Sequence, residues 1–166
     1  GVKYGDKGFG KRPQILTFEG DIMHLAKGGA TSFHFGEEKW DDPLLLKSGL
    51  LKNQLDSMRA GWDLILDIDT NFFSFAKFCA LSLIEALEFY DVYSYGVKFS
   101  GRSGFHVAIP FEAFPEVVND RPIKEMFPEG VRMVASYLKH MIEKKLKSDI
   151  LSVNSVKELA VSLGKE

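Results

Sequence analysis

Residues 72–90 constrain the fold most, because this segment is apolar around almost its whole circumference. Apolar side chains recur at the three- and four-residue spacing of an α-helix, and polar residues make only a thin stripe. A helix with so little polar surface is largely buried. The chain of 166 residues is long enough to bury such a core.

The other elements follow in a mixed order. The clearest patterns predict strands over 61–69, 95–99 and 105–111 and an amphipathic helix over 130–148. Weaker patterns predict a flexible lead-in over 1–14, strands over 13–19 and 30–40, an interrupted helix over 42–58 and a short helix over 155–164. This order predicts a single α+β domain over 1–166, with a mixed or antiparallel sheet and flanking helices, rather than a regular βαβ repeat.

Composition excludes several classes of protein. A formal net charge of −2 argues against a generally basic nucleic-acid binder, although a local basic patch is compatible with it. The one cysteine, Cys79, excludes an internal disulfide and a multi-cysteine zinc site, and its apolar surroundings predict a buried reduced thiol. No apolar run is long enough to cross a bilayer. We expect a cytoplasmic or nuclear protein that is not secreted.

The stretch "DLILDID", residues 63–69, carries a pair of carboxylates. On a strand, Asp67 and Asp69 project from the same face, roughly 6–7 Å apart at the backbone. Two carboxylates this close repel unless a positive charge lies between them, and hard oxygen ligands suit Mg²⁺ or Mn²⁺. The alternative is structural, since either residue could cap the helix that starts near Asn71. Asp63 is interpreted as a solvated strand start.

The stretch "SGRSGFH", residues 100–106, is the second polar cluster. Ser100, Arg102, Ser103 and His106 offer hydrogen-bond donors, and the glycines expose backbone N–H groups that can surround an anion. Arginine in particular matches the geometry of phosphate. The alternatives are a polar hairpin turn with an exposed arginine and a structural histidine. A carboxylate pair for metal and a donor-rich turn for phosphates together favour nucleotidyl transfer.

These two motifs, in this order and about thirty residues apart, resemble the small catalytic subunit of archaeal and eukaryotic DNA primases. More broadly they are similar to the archaeo-eukaryotic primase (prim–pol) superfamily. The resemblance implies a primase-type catalytic core containing an RRM-like unit. It also implies that Asp67 and Asp69 are catalytic and bind Mg²⁺ or Mn²⁺, and that nucleotide phosphates contact Ser100, Arg102 and His106. Ser103 occupies the place of a second basic residue in the family, so its contact is weaker or made by the hydroxyl.

The chain departs from the family in three ways. The third carboxylate and the basic motif that follow in the family are not found here. Either the domain is truncated at its C-terminal end, as we expect, with that carboxylate beyond residue 166, or the active site is completed differently. The zinc-binding cysteine cluster of many primase small subunits is absent, so no zinc is expected. Since the net charge is not basic, template binding depends on a further segment or on a partner subunit.

The resemblance implies template-directed nucleotidyl transfer by a DNA primase or primase-polymerase. The implied partners are NTPs or dNTPs, a DNA template and primer, and a primase large subunit or other replication or repair proteins. Two alternatives stay open: an end-joining repair polymerase of the same superfamily, and a catalytically degenerate module that binds nucleic acid or a partner subunit. A generic metal-dependent phosphohydrolase is disfavoured, since its usual His/Asp clusters are absent.

Overall fold

The structure is a computed structural model that describes residues 1–10 and 14–153. It divides into two compact units, Gly1–Trp62 and Asp63–Glu166, which are described separately. Helices and small sheets are both present, and every strand pair in the described part of the chain is antiparallel. The predicted α+β class with an antiparallel sheet is therefore confirmed.

The first unit contains two pairs of short strands and two short helices. In chain order its elements are β1 (Val2–Lys3), α1 (Gly20–Lys27), β2 (Ser32–Phe33), β3 (Glu38–Trp40), α2 (Lys52–Met58) and β4 (Arg59–Trp62). Strand β1 pairs with β2, and β3 pairs with β4 around a bulge between Lys39 and Trp40.

A charge cluster around Arg59 holds β3, α2 and β4 together. The guanidinium, with a side chain only 3% exposed, donates to Oε1 of Glu38 at 2.7 and 2.9 Å and to Oδ1 of Asp56 at 2.5 Å. It also lies over the ring of Trp40, 5.3 Å from the ring centroid. A buried charge is tolerated only with partners of this kind. We name these four residues the Arg59 cluster.

In the described residues of the second unit, a three-stranded sheet packs with two long helices. Its elements are β5 (Leu64–Ile68), α3 (Phe73–Phe89), β6 (Gly96–Phe99), β7 (Phe105–Ile109), β8 (Val117–Val118), β9 (Arg121–Pro122) and α4 (Glu129–Val153). The sheet has the order β5-β7-β6, so that β7 is central, while β8 and β9 form a separate hairpin. Helix α3 packs against β5, β7 and α4.

The core of this unit follows from the two periodicities in the sequence. Alternate residues of β5 and β7 are buried, including Leu64, Ile68 and Val107, because every second side chain of a strand points to the same face. Phe73 at the start of α3 packs on Phe105, with ring centroids 5.5 Å apart. The predicted apolar helix over 72–90 is therefore confirmed, and it covers this face of the sheet.

One sequence prediction for the first unit is wrong, and a second holds only in part. No strand forms over residues 14–19, and α1 begins directly after them. The carboxylate of Asp21 accepts the backbone N–H groups of Thr17 and Phe18 at 2.7 and 3.0 Å, so these amides close a turn instead of pairing with a strand. The helix predicted over 42–58 is reduced to a 3₁₀ turn at Pro43–Leu45 and α2.

Other predicted boundaries also shift. The strand expected over 61–69 is interrupted at Asp63, whose Oδ1 accepts the Phe111 N–H at 2.9 Å. Part of the expected flexible lead-in is a strand, since β1 pairs with β2 and Val2 is only 3% exposed. The short helix predicted over 155–164 lies outside the described residues. No helix in the described ranges is long and apolar enough to span a membrane.

Candidate functional site

The carboxylate pair lies where β5 ends. Leu64 and Ile68 are buried on the face that α3 covers, while Asp67 and Asp69 are exposed, as the alternation of the strand predicts. Asp67 has a side chain that is 68% exposed. Carboxylates this open to water are hydrated, and a cation can reach them from solvent.

The strand register places His106 directly across from Asp67. His106 on β7 pairs with Asp67 on β5, and its Nε2 lies 3.4 Å from Asp67 Oδ1. On its other side, His106 pairs with Lys98 on β6. An acid, an imidazole and an ammonium group thus follow one another across three strands. We name Asp67, His106 and Lys98 the cross-strand row.

The cross-strand row lies on the face of the sheet opposite to α3. Phe73 of that helix contacts Phe99 and Phe105, which alternate with Lys98 and His106 along β6 and β7. One face of the sheet therefore supports the fold, and the other carries the polar side chains predicted to be functional.

The loop between β6 and β7, residues 100–104, is closed by its own hydrogen bonds. The Ser100 N–H donates to the Gly104 carbonyl at 3.0 Å, and the Gly104 N–H donates to Ser100 Oγ at 3.2 Å. Gly101 has φ +99°, a conformation that L-residues other than glycine rarely adopt. Because Ser100 Oγ acts as an acceptor inside the loop, its own O–H is left to donate to a ligand.

The same loop is fixed to the end of β5. The Ser103 hydroxyl donates to the Thr70 carbonyl, so its proton is engaged within the protein. Gly104 lies so close to β5 that a Cβ there would overlap the Ile68 carbonyl oxygen. These contacts hold residues 100–104, which we name the donor loop, beside Asp67 and Asp69. Arg102 lies between Gly101 and Gly104 and is exposed.

The arrangement fits a divalent cation that takes most of its ligands from water and substrate. Asp67 and Asp69 supply carboxylate oxygens from one face, which is the usual protein contribution to a Mg²⁺ site completed by phosphate oxygens. Within residues 1–10 and 14–153, no group of three His, Cys, Asp or Glu side chains converges as a metal site. A cation at this position would therefore need ligands besides the carboxylate pair.

A groove runs along the outer edge of β5, between that strand and helices α3 and α4. Its volume is about 950 Å³, and apolar side chains such as Leu83 and Ile142 form much of its wall. Cys79 also lines it, and burial raises the pKa of that thiol, which disfavours a nucleophilic role. Asp67 and Asp69 border the groove, so the carboxylate pair is accessible from the strand edge as well as from the open face of the sheet.

Sequence reasoning identified Asp67 and His106 but missed Lys98 and Thr70. Lys98 falls two residues before Ser100 in a predicted strand, so strict alternation places both on one face, and this signal was available in the sequence. Thr70 acts through its backbone carbonyl, which no side-chain pattern reveals.

Comparisons of the chain with protein-family models, with curated proteins and with solved structures give no match.

Proposed function

We propose that this protein catalyses template-directed nucleotidyl transfer, as a DNA primase or primase-polymerase. One observation carries the proposal: β5 and β7 pair so that the carboxylate pair and the donor loop adjoin on one open face. A metal–nucleotide complex requires this adjacency, because the cation and the phosphates it neutralises must share one site.

In this proposal each side chain has a distinct role. Asp67 and Asp69 would hold two divalent ions, Mg²⁺ or Mn²⁺, which would neutralise charge at the reacting phosphate. Ser100, Arg102 and His106 bind the β- and γ-phosphates of an NTP or dNTP through hydroxyl, guanidinium and imidazole donors. The primer 3′-hydroxyl attacks the α-phosphate beside the carboxylates, and pyrophosphate leaves toward the donor loop.

Ser103 acts differently from the other predicted phosphate ligands. Its hydroxyl proton is engaged with the Thr70 carbonyl, so we assign it a positioning role between the donor loop and the end of β5. Gly104 supports the same contact by leaving room for the Ile68 carbonyl. The loop therefore presents its donors from a fixed position, which lowers the reorganisation needed when a phosphate binds.

The order of elements in the second unit supports the proposed primase-type core. Strand β5 connects through α3 to β6, and β7 lies between these two strands in the sheet. With α4, this is the order of the first five elements of a βαββαβ unit, the arrangement of RRM-like domains. Asp67 lies on its first strand, Asp69 directly after that strand, and the donor loop in its hairpin.

A second candidate is a catalytically degenerate module that binds nucleotides, nucleic acid or a partner subunit. The observation in its favour is that, among the described residues, no group of three His, Cys, Asp or Glu side chains converges as a metal site. Such a module retains triphosphate binding or partner binding without transferring nucleotides. Activity measurements and binding measurements therefore have to be made on the same preparations.

The test is primer extension with labelled nucleotides, Mn²⁺ and a primed DNA template. Asp67→Asn combined with Asp69→Asn removes both negative charges at almost constant shape, and we expect a loss of about 1000-fold or more. Asp91→Asn is the matched control, since Asp91 is an exposed acid of the same unit in a turn with φ 57°, which asparagine tolerates. Far-UV circular dichroism verifies that all variants are folded.

The outcomes separate the candidates. Transfer by the unmodified protein and Asp91→Asn but not by the double variant supports the proposal. Equal transfer by the double variant eliminates the metal role of the two carboxylates. Mn²⁺-dependent ATP binding without any transfer identifies the degenerate module.

A further inference from the structure

Lys98 is a cationic residue of the open face that the proposed function leaves without a role. It lies on β6, the outer strand of the sheet, and pairs with His106, which in turn pairs with Asp67. Neighbouring strands are about 4.8 Å apart, so the backbone of Lys98 is roughly 10 Å from that of Asp67. The cross-strand row therefore has an acidic end and a cationic end, with the imidazole between them.

The surroundings of Lys98 do not supply a structural partner. Its side chain is exposed, and within the described ranges no carboxylate forms an ion pair with it. Lys145 and Lys147 of α4, in contrast, bind Asp149 and Glu143 at 2.9 and 2.5 Å. Lys98 also shares its face with Ser100, two residues further along the chain, because side chains alternate along a strand.

A simpler role for Lys98 is the protection of an edge strand. Lysine on an outer strand discourages pairing with another chain, and β6 exposes Val97 and Phe99 beside it. Protection of the edge strand alone does not explain why Lys98 pairs with His106 and shares a face with Ser100. A role of the Lys98 ammonium group in binding an anion on that face explains both its pairing and its face.

We propose that Lys98 forms a further phosphate-binding position, at the cationic end of the cross-strand row. This inference rests on the proposed function and deepens it by assigning one more side chain, Lys98, to the distal phosphates. Asp67 and Asp69 would hold a cation that neutralises the phosphates, and Lys98, across His106, contacts the distal phosphates. The site therefore selects nucleoside triphosphates over monophosphates.

The experiment compares the binding of ATP and of AMP, each with Mn²⁺, by isothermal titration calorimetry. Lys98→Gln removes the charge, and we expect ATP affinity to fall roughly fivefold to tenfold while AMP affinity is unchanged. Lys98→Arg keeps the charge and retains most of the ATP affinity. Lys77→Gln is the matched control, since Lys77 is an exposed lysine of α3 in the same unit.

The results distinguish this inference from the proposed function. ATP binding by the unmodified protein and an equal affinity of Lys98→Gln overturn the role of Lys98 and leave the proposed function intact. Equal losses for ATP and AMP overturn the distal-phosphate assignment. An unmodified protein that binds neither nucleotide with Mn²⁺ overturns both proposals.

Discussion

The two units each contain a charge cluster, and the clusters differ in how well their members are partnered. In the Arg59 cluster a side chain 3% exposed is surrounded by two carboxylates and an aromatic ring. In the cross-strand row, Asp67 and His106 are 68% and 36% exposed and share one contact of 3.4 Å. The charged groups of the first cluster are hydrogen-bonded within the protein, while those of the second are exposed and can still bind a ligand.

This difference separates charges that stabilise a fold from charges that are available to a ligand. A buried guanidinium without its carboxylates would destabilise the folded state, so such clusters are complete before any ligand arrives. Exposed charges on a rigid sheet contribute little to folding, since water screens them. The cross-strand row, whose charges are exposed and held in place by the strand register, is therefore the better candidate for binding a ligand.

The largest expected effect on folding comes from Arg59→Met. Removing the guanidinium takes away the cation that Glu38 and Asp56 share and leaves Lys52 on Asp56, and we expect the free energy of unfolding to fall by about 3 kcal/mol. Both tryptophans of the chain, Trp40 and Trp62, lie in the first unit, so tryptophan fluorescence during denaturant unfolding reports on this unit. Asp67→Asn serves as the contrast, with an expected change within about 0.5 kcal/mol by circular dichroism. Equal effects of the two changes would remove the distinction between the clusters.

An intermediate effect is expected from Gly104→Ala. The added methyl group overlaps the Ile68 carbonyl, so the donor loop must move away from β5, at a cost of about 2 kcal/mol. Thermal unfolding monitored by far-UV circular dichroism measures the loss. Gly96→Ala is the matched control in the same hairpin, because a Cβ on Gly96 meets nothing within 4 Å. If both variants unfold at the same temperature, the loop is not held by this close approach.

The smallest expected effect is a pH dependence that originates in the Arg59 cluster. Burial alone would raise the pKa of Asp56, but hydrogen bonds from Lys52 and Arg59 lower it below its ordinary value of 3.8. A lowered folded-state pKa stabilises the protein above the unfolded-state pKa, and this contribution disappears as pH falls through the folded-state value. Asp56→Asn should therefore cost about 1 kcal/mol near neutral pH, and progressively less in acid.

Tryptophan fluorescence across a series of acidic buffers measures this pH effect. Asp41→Asn, which changes an exposed acid of the same unit, should leave the pH profile unaltered. A constant difference between Asp56→Asn and the unmodified protein at every pH would contradict the assignment.

The sequence predicted those helices and strands in which apolar residues recur at a clear helical or strand spacing. Helix α3 was expected over 72–90 and spans Phe73–Phe89, and the hairpin strands were expected over 95–99 and 105–111 and span Gly96–Phe99 and Phe105–Ile109. The helix expected over 130–148 runs longer, over Glu129–Val153. In contrast, α1 was not predicted from the sequence; it is a helix of eight residues that buries none of its side chains.

The site was predictable residue by residue, but its assembly was not. The alternation of side chains along a strand predicted that Asp67 and Asp69 project from the same face of the sheet. The pairing of Asp67 with His106 joins strands on either side of α3, and no local pattern determines such a register. The hydrogen bond from Ser103 to the Thr70 carbonyl is likewise a tertiary contact, visible only once the strands are in place.

The anchoring of residues 100–104 has a consequence for how the chain can vary in length. Hairpin loops are commonly the places where related chains gain or lose residues. Here an insertion would pull Ser103 and Gly104 away from the end of β5 and displace the neighbouring side chains with them. The turn between β8 and β9, where Asn119 and Asp120 are exposed, lacks this tether, and it is the natural point for grafting a reporter peptide into the second unit.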